Sequence, residues 1–231
     1  MINACAFEQL SNPVWHALQT VHRPLALGTD TVLRYPGQIL QLLGCECPDK
    51  AGLNDLLPWM TTGEKIYIVG ELPSLPPNWS VSARIECLQM VYPDPSLPQL
   101  AAQEEIIQLG EADEEEMLDL VRLVQPGFFH ARTYLLGRYY GIRRQGRLVA
   151  MAGERLKITG LTEISAVNTH PDFTGQGLGR QLITQVAGIN INEENIPFLH
   201  VRSTNDRAIG LYELLGFKEL RRIFFNELTC C

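Results

Sequence analysis

Long apolar runs are absent from this sequence of 231 residues. No run approaches the roughly 20 residues that a membrane-spanning helix needs. The opening segment, MINACAFEQLSNP, also lacks a charged region followed by an apolar one, as a secretion signal would have. With 45% hydrophobic and 19% charged residues, the composition is typical of a soluble globular chain. We therefore expect a cytoplasmic protein without a membrane partner.

Positive charge and ordered cysteine spacing are lacking too. The 19 Lys and Arg face 26 Asp and Glu, so a nucleic acid partner is not expected. Among the six cysteines, Cys45 and Cys47 are one residue too close for a zinc pair, and no second pair follows. We expect reduced thiols and no metal. The final Cys230-Cys231 pair is compatible with lipidation of a small GTPase, but the sequence has no phosphate-binding loop of that class.

Proline divides the chain. Eleven of the 14 prolines lie in residues 1–100, and the last cluster, Tyr92 to Pro98, excludes regular helix and central strand. We predict a linker near residues 92–101 between a smaller α+β amino-terminal domain, 1–100, and a second domain, 101–231. In the first part the pattern predicts helices and strands without recognisable chemistry: helices over Val14 to Val21 and Gly37 to Leu43, and strands over Lys65 to Glu71 and Arg84 to Val91.

The second part alternates between strand and helix periodicity, which indicates a mixed α/β (α+β) fold. Its elements are predicted in this order: a strand at Glu105 to Leu109, a helix over Asp113 to Val124, a hairpin of Tyr139 to Arg144 and Arg147 to Ala152, a strand at Thr162 to Thr169, a helix from Leu178, and a strand at Pro197 to Val201.

The glycine-rich segment Thr174-Gly-Gln-Gly-Leu-Gly179 lies between a predicted strand and a predicted helix. Glycines let consecutive backbone amides turn toward a ligand, and the helix dipole adds partial positive charge, so this placement predicts an anion site. The spacing differs from the dinucleotide fingerprint because Arg180 occupies the position of the third glycine. The Gly-Lys-Ser/Thr of an ATP loop is absent as well.

A second motif runs from Asn205 to Phe217, with Asn205 as a helix N-cap and Gly216 as the helix stop. The two motifs, in this order and with a strand between them, resemble the signatures of the GNAT superfamily of acetyl-CoA-dependent N-acetyltransferases. Ile164 to Pro171 further resembles the carboxy-terminal domain of glycine N-acyltransferase-like proteins. The resemblance covers roughly residues 101–231.

The resemblance implies a mixed, mostly antiparallel sheet flanked by helices, with acetyl-CoA in a V-shaped opening between the fourth and fifth strands of the domain. Thr174 departs from the Arg or Gln usual at its position, so one side-chain contact to the cofactor is in doubt. The Val167 amide would bind the acetyl carbonyl, and the Thr169 backbone the pantetheine arm. The implied cofactor contacts are Val167, Asn168, Thr169, Thr174, Gly175, Gln176, Gly177, Leu178, Gly179, Arg180, Asn205 and Ala208.

Acetyl transfer needs a base for the amine and a proton for the departing thiolate. Glu163 lies 14 residues before Gly177, the interval found in histone acetyltransferases of the superfamily, and is our candidate base; a solvated strand-edge role is the alternative. Tyr212 is the candidate acid, with simple core packing as its alternative. His170 and His200 are interpreted as structural. No cysteine lies between Cys87 and Cys230, so direct transfer in a ternary complex is preferred over an acyl-enzyme.

The acceptor is expected to be a primary amine of a small molecule or peptide. Pro126 to Tyr140 mixes aromatic residues with Arg132 and Arg138, which suits a carboxylated amine; an aromatic core with exposed arginines explains the segment equally well. A non-catalytic acyl-CoA-binding or regulatory module is the competing function. The acyl-chain preference and the oligomeric state stay open.

Overall fold

The computed structural model describes residues 4–96 and 104–230. Half of the predicted linker, residues 97–101, lies outside these ranges. Four α-helices are present in the described part: α1 Pro13–Gln19, α2 Glu114–Val124, α3 Leu178–Asn192 and α4 Asp206–Leu214.

The strands form a mixed, mostly antiparallel sheet. In the described residues it has eleven members: β1 Leu27–Gly28, β2 Val32–Arg34, β3 Leu42–Cys45, β4 Lys65–Val69, β5 Trp79–Val91, β6 Ile107–Leu109, β7 Tyr139–Arg144, β8 Arg147–Ile158, β9 Leu161–Thr169, β10 Ile196–Arg202 and β11 Lys218–Cys230. Their order is β1-β2-β3-β4-β11-β5-β10-β9-β8-β7-β6, and only β3 with β4 and β9 with β10 pair in parallel.

Strands from the two parts of the chain alternate in the middle of this sheet. β11 lies between β4 and β5, and β5 lies between β11 and β10. One buried cluster accordingly joins Leu10, Leu33 and Val69 to Leu156 and Phe198. The division of the chain near residue 101 stays a prediction, and the two parts share one sheet through β5 and β11.

Helix α3 packs on the face of the sheet opposite to that buried cluster. It buries the apolar side that its periodicity predicts. Leu178, Leu182 and Val186 are 1% exposed or less, and they pack in one cluster with Ile164 of β9 and Leu199 of β10. Burial of this apolar stripe against the sheet, rather than helix propensity, holds the helix in place. The helix therefore begins at a fixed position directly behind the glycine-rich loop.

The predicted helix over Gly37 to Leu43 is wrong. Residues 37–39 form a turn, and Leu42–Cys45 is β3, a fully buried strand between β2 and β4. A short apolar run fits a buried strand as well as a helix, and here tertiary pairing decides. The other predicted helices and strands are present, with ends shifted by up to six residues, as at β8, which ends at Ile158 and not at Ala152, and the hairpin at Gln145-Gly146 is confirmed.

Candidate active site

Strands β9 and β10 separate after a short parallel ladder. Leu161 to Glu163 pair with Ile196 to Phe198, after which β9 continues beside β8 while β10 continues beside β5. In the same stretch β9 carries one extra residue relative to β8 between Ser165 and Asn168, and Ala166 has a left-handed φ of 51°. This bulge turns the backbone of β9 out of its ladder. The sheet thus opens between β9 and β10, in the V shape that the resemblance described above implies.

A cavity of about 150 Å³ lies at this fork. Its walls bring together residues from both strands, from the loop before β7, from α4 and from β5 and β11. Predicted site residues at its surface are Val167, Asn168, Asn205, Ala208 and Tyr212. Other residues that line the cavity include Ile85, Cys87, Phe128, Phe129, Arg155, His200, Arg202 and Phe225.

The glycine-rich loop leads directly into α3. Gly175 and Gly177 have φ values of 79° and 77°, in the left-handed region, and an added Cβ at either position would meet no atom within 4 Å. Gly177 is the N-cap of α3, and no side chain caps the helix. The loop thus leaves open space in front of an uncapped helix N-terminus, as an anion site requires.

Two polar side chains around this loop help to define it. The Thr174 hydroxyl donates to the Pro171 carbonyl oxygen at 3.1 Å, so it stabilises the loop itself. The Arg180 Nε is buried and finds no hydrogen-bond partner in the described part of the chain. A buried guanidinium nitrogen without a partner fits a site whose anion would supply one.

Tyr212 reaches the cavity from α4, whose start is fixed by the predicted cap: the Asn205 Oδ1 accepts from the Ala208 amide at 3.2 Å. The Tyr212 side chain is 8% exposed and packs edge-on against Phe217. Burial raises the pKa of its hydroxyl to about 12. Within residues 4–96 and 104–230 the hydroxyl has no hydrogen-bond partner, and its high pKa keeps it protonated and available to donate near neutral pH.

Glu163, the predicted base, lies behind the cavity wall. It is 0% exposed, and it accepts hydrogen bonds from the Arg155 Nε at 2.9 Å and Nη2 at 2.5 Å. Burial alone would raise the pKa of Glu163, but the positive charge of Arg155 and the hydrogen bonds from Arg155 and His200 lower it to about 2. A carboxylate with so low a pKa is a weak base. The base role stays a prediction.

Arg155, Glu163, His200 and Gln89 form a polar chain across four neighbouring strands, β8, β9, β10 and β5. The Glu163 Oε1 lies 2.7 Å from the His200 Nδ1, and the Gln89 Nε2 lies 2.9 Å from the His200 Nε2. Because the Gln89 amide nitrogen can only donate, the imidazole accepts at Nε2 and carries its proton on Nδ1. Both ring nitrogens of His200 are therefore engaged.

The sequence did not predict Arg155 as a site residue. Its only signal is the adjacent charged pair Glu154-Arg155 within strand β8, where both side chains are buried. Alternation along the strand places the two charges on opposite faces. Glu154 contacts Asn190 of α3 at 2.9 Å, whereas Arg155 faces the cavity.

The two arginines predicted near an acceptor do not line the cavity. Arg138 is engaged by carboxylates, at 2.7 Å from Glu154 and 2.6 Å from Glu193, and Arg132 is exposed elsewhere. From the same segment, Phe128 and Phe129 do line it. The cavity also receives Cys87 of β5, a thiol that the sequence placed outside the second domain.

The described residues contain neither a metal-binding cluster nor a membrane-spanning helix. No group of three His, Cys, Asp or Glu side chains within residues 4–96 and 104–230 is arranged to hold a metal ion. No helix in these ranges has the length and apolar character needed to cross a membrane.

Comparisons with known proteins agree with this geometry. Residues 139–225 match the family described as FR47-like protein. The crystal structure of a protein assigned to the GNAT family of acetyltransferases, from Novosphingobium aromaticivorans, is similar at 32% identity and a TM-score of 0.88, covering 96% of this chain and 98% of that one. A GCN5-related N-acetyltransferase from Kribbella flavida shares the fold, with a TM-score of 0.63 at 15% identity over 98% of this chain and 96% of its own.

A fork at a β-bulge, with a glycine-rich loop before a long helix, is what defines an acetyltransferase of this class. The chain belongs to the GNAT family of N-acetyltransferases, enzymes that use acetyl-CoA. It is also 32% identical over 95 residues to the N-alpha-acetyltransferase RimI of Mycobacterium tuberculosis; that match spans 38% of this chain and 58% of RimI. The family and fold predictions are confirmed.

Proposed function

We propose that this protein transfers an acetyl group from acetyl-CoA directly to a primary amine of a small molecule or peptide. The observation that carries the proposal is the cavity at the fork, where the bulge of β9 and the Tyr212 hydroxyl share one space. A backbone amide exposed at the bulge suits the carbonyl oxygen of a thioester, to which it can donate a hydrogen bond. The Tyr212 hydroxyl suits the sulfur, to which it can give a proton.

We assign the cofactor to the glycine-rich loop and to the opening between β9 and β10. Backbone amides from Gly175 to Arg180 would hold the pyrophosphate at the uncapped start of α3. The Thr169 backbone would pair with the pantetheine arm, and Asn205 and Ala208 would flank its other side. The buried Asn168 Oδ1, which has no partner in the described chain, gains one when a donor enters the cavity.

In the reaction, the amine nitrogen attacks the thioester carbon, and the Val167 amide stabilises the oxyanion. The new C–N bond forms, the C–S bond breaks, and Tyr212 gives its proton to the departing sulfur. The nitrogen, which carries a positive charge after its attack, gives one proton to water. A proton from water then converts the Tyr212 phenolate back to the phenol. The charge of Arg202 favours the neutral form of a nearby amine, because positive charge disfavours a second positive charge, whereas the charge of Arg155 is balanced by Glu163.

Cys87 is the one cysteine at the surface of the cavity among the described residues. Burial raises the pKa of its thiol to about 11, so very little thiolate exists near neutral pH. An acyl-enzyme on Cys87 is therefore disfavoured. Direct transfer within a ternary complex follows.

The proposal is tested by incubating the purified protein with acetyl-CoA and a pool of metabolites and peptides, followed by mass spectrometry. We expect acetylated amines that are depleted when Tyr212→Phe replaces the wild type. Tight acetyl-CoA binding without any acetylated product would contradict transfer and would favour a non-catalytic acyl-CoA-binding module. The same pool incubated with longer acyl-CoA donors measures the acyl-chain preference.

A further inference from the structure

The cavity is lined by both arginine and aromatic side chains. Among the described residues that line it, none carries a carboxylate, whereas Arg155 and Arg202 contribute two guanidinium groups. Phe128, Phe129 and Phe225 form its apolar walls. Such a surface disfavours polycationic amines and favours an amine that also bears a negative charge and an apolar side chain.

Part of the Arg155 guanidinium has no hydrogen-bond partner in the described chain. The side chain is 7% exposed, and its guanidinium carbon lies 5.7 Å from the Phe128 ring centroid and 5.8 Å from that of Phe225. Nε and Nη2 are engaged by Glu163, but Nη1 has no hydrogen-bond partner in the described part of the chain. A guanidinium nitrogen that has no protein partner, on a residue that lines a cavity, can donate to an acceptor on a ligand.

The remaining members of the polar chain hold Arg155 still. Glu163 binds the guanidinium on one edge and is itself fixed by the His200 Nδ1 and the Leu156 amide. His200 is held in turn by Gln89, whose Nε2 also donates to the Leu10 carbonyl at 2.7 Å. A guanidinium fixed before the ligand arrives loses little conformational entropy on binding.

We propose that Arg155, through Nη1, binds the carboxylate of the acceptor, and that the acceptor is a small amino acid-like amine with an apolar side chain. This inference rests on the proposed function and narrows it to one substrate class. Glu163 and His200 are then positioning residues. They aim Arg155 and do not touch the acceptor.

The first test compares leucine and phenylalanine with their carboxamides as acetyl acceptors. The carboxamide has the less basic amine, so intrinsic reactivity near neutral pH favours it. We expect the wild type to prefer the carboxylate nonetheless, by about 10- to 100-fold in kcat/KM, since a charged hydrogen bond supplies that factor. Equal use of the two acceptors, or better use of carboxamides and peptides, would overturn the proposal.

Two variants assign the preference to Arg155. Arg155→Lys keeps the charge but loses the planar pair of donors. The double variant Arg155→Met/Glu163→Gln removes both charges together, so no lone buried charge threatens the fold. We expect both to lose most of the preference through KM of the carboxylate acceptor. Arg147→Gln, an exposed change on the same strand, is the matched control and keeps the preference.

A second readout does not depend on turnover. Calorimetry measures the binding of N-acetylphenylalanine and of its carboxamide to the protein loaded with coenzyme A. Selective binding of the carboxylate by the wild type, lost in the double variant, supports the inference even if no amine is acetylated and the proposed function fails. Acetylation of amines with the same weak binding of both products in every variant sinks the inference and leaves the proposed function standing.

Discussion

The Glu163 carboxylate on β9 and the His200 imidazole on β10 meet across the fork of the sheet, with 2.7 Å between Oε1 and Nδ1. The backbone ladder between the two strands ends at Glu163 and Phe198, two residues before His200. Both side chains are almost fully buried. A side-chain bond therefore takes over where the backbone bonds stop, and it fixes the separation of the two strands at the cavity.

Glu163→Gln separates a positioning role from that of a general base. The change leaves Arg155 buried without its counter-ion, so we expect the free energy of unfolding to fall by roughly 3 kcal/mol. The KM of the acceptor rises while kcat falls by less than about tenfold, because general-base catalysis, worth about 100-fold or more, is not lost. Urea unfolding and steady-state kinetics from pH 6 to 9 measure these effects.

Glu154→Gln is the matched control for Glu163→Gln. Glu154 is equally buried and ion-paired, but it contacts Arg138 and α3 rather than the cavity. It should destabilise the protein without changing the KM of the acceptor. A fall in kcat above a hundredfold in Glu163→Gln alone, with loss of the rising limb of the pH profile, would instead establish Glu163 as the base.

Tyr212→Phe removes the proposed acid without emptying the core. We expect kcat to fall by about 100-fold, with KM for acetyl-CoA within about twofold of the wild type. With a pKa of about 12, the hydroxyl also predicts no alkaline loss of rate through pH 9.5. Tyr140→Phe, at a tyrosine with the same 8% exposure that does not line the cavity, is the control and keeps full activity. Equal rates in both variants would remove Tyr212 from the mechanism.

Gly177→Ala tests the loop as a cofactor site. Alanine in the left-handed region costs about 1 kcal/mol of stability, and its methyl group enters the open space in front of α3. We expect KM for acetyl-CoA to rise about tenfold. Gly160→Ala, at the same φ of 77° in the turn between β8 and β9, carries the same strain and leaves KM unchanged. An unchanged KM in Gly177→Ala would place the pyrophosphate elsewhere.

His22 makes stability depend on pH. Burial lowers its pKa to about 4, while its ring contacts the Tyr35 hydroxyl at 2.7 Å and the Leu136 carbonyl at 3.0 Å. The unfolded chain therefore takes up a proton near pH 6.5 that the folded chain refuses until about pH 4. The contribution of His22 to the free energy of unfolding is therefore fully present above pH 6.5. It declines as the pH falls, by about 2 kcal/mol between pH 7 and 5.

His22→Gln keeps hydrogen-bonding groups at this position and removes the titration. Urea unfolding at pH 7 and pH 5 should show about 2 kcal/mol less change in the variant than in the wild type. Parallel curves for the two proteins would contradict the assignment.

Local signals in the sequence predicted the parts of this protein that depend on local spacing. The loop before α3, the Asn205 cap and the hairpin at Gln145-Gly146 are each defined by a few neighbouring residues, so their positions could be predicted. Arg155 could not be assigned a role, because its partners Glu163 and His200 are brought to it by strand pairing. The place of β5 beside β10 was hidden for the same reason, since strand order is a property of the whole sheet.

The position of β11 in the sheet also has a consequence for the order of events during translation. β4 and β5 leave the ribosome early, yet the strand that belongs between them, Lys218–Cys230, is made after all the other described strands. Until then, both strands present free edges to other nascent chains. Closure of the sheet has to wait for the ribosome to finish that strand, so chaperone capture is expected to act on this protein between the synthesis of β5 and that of β11.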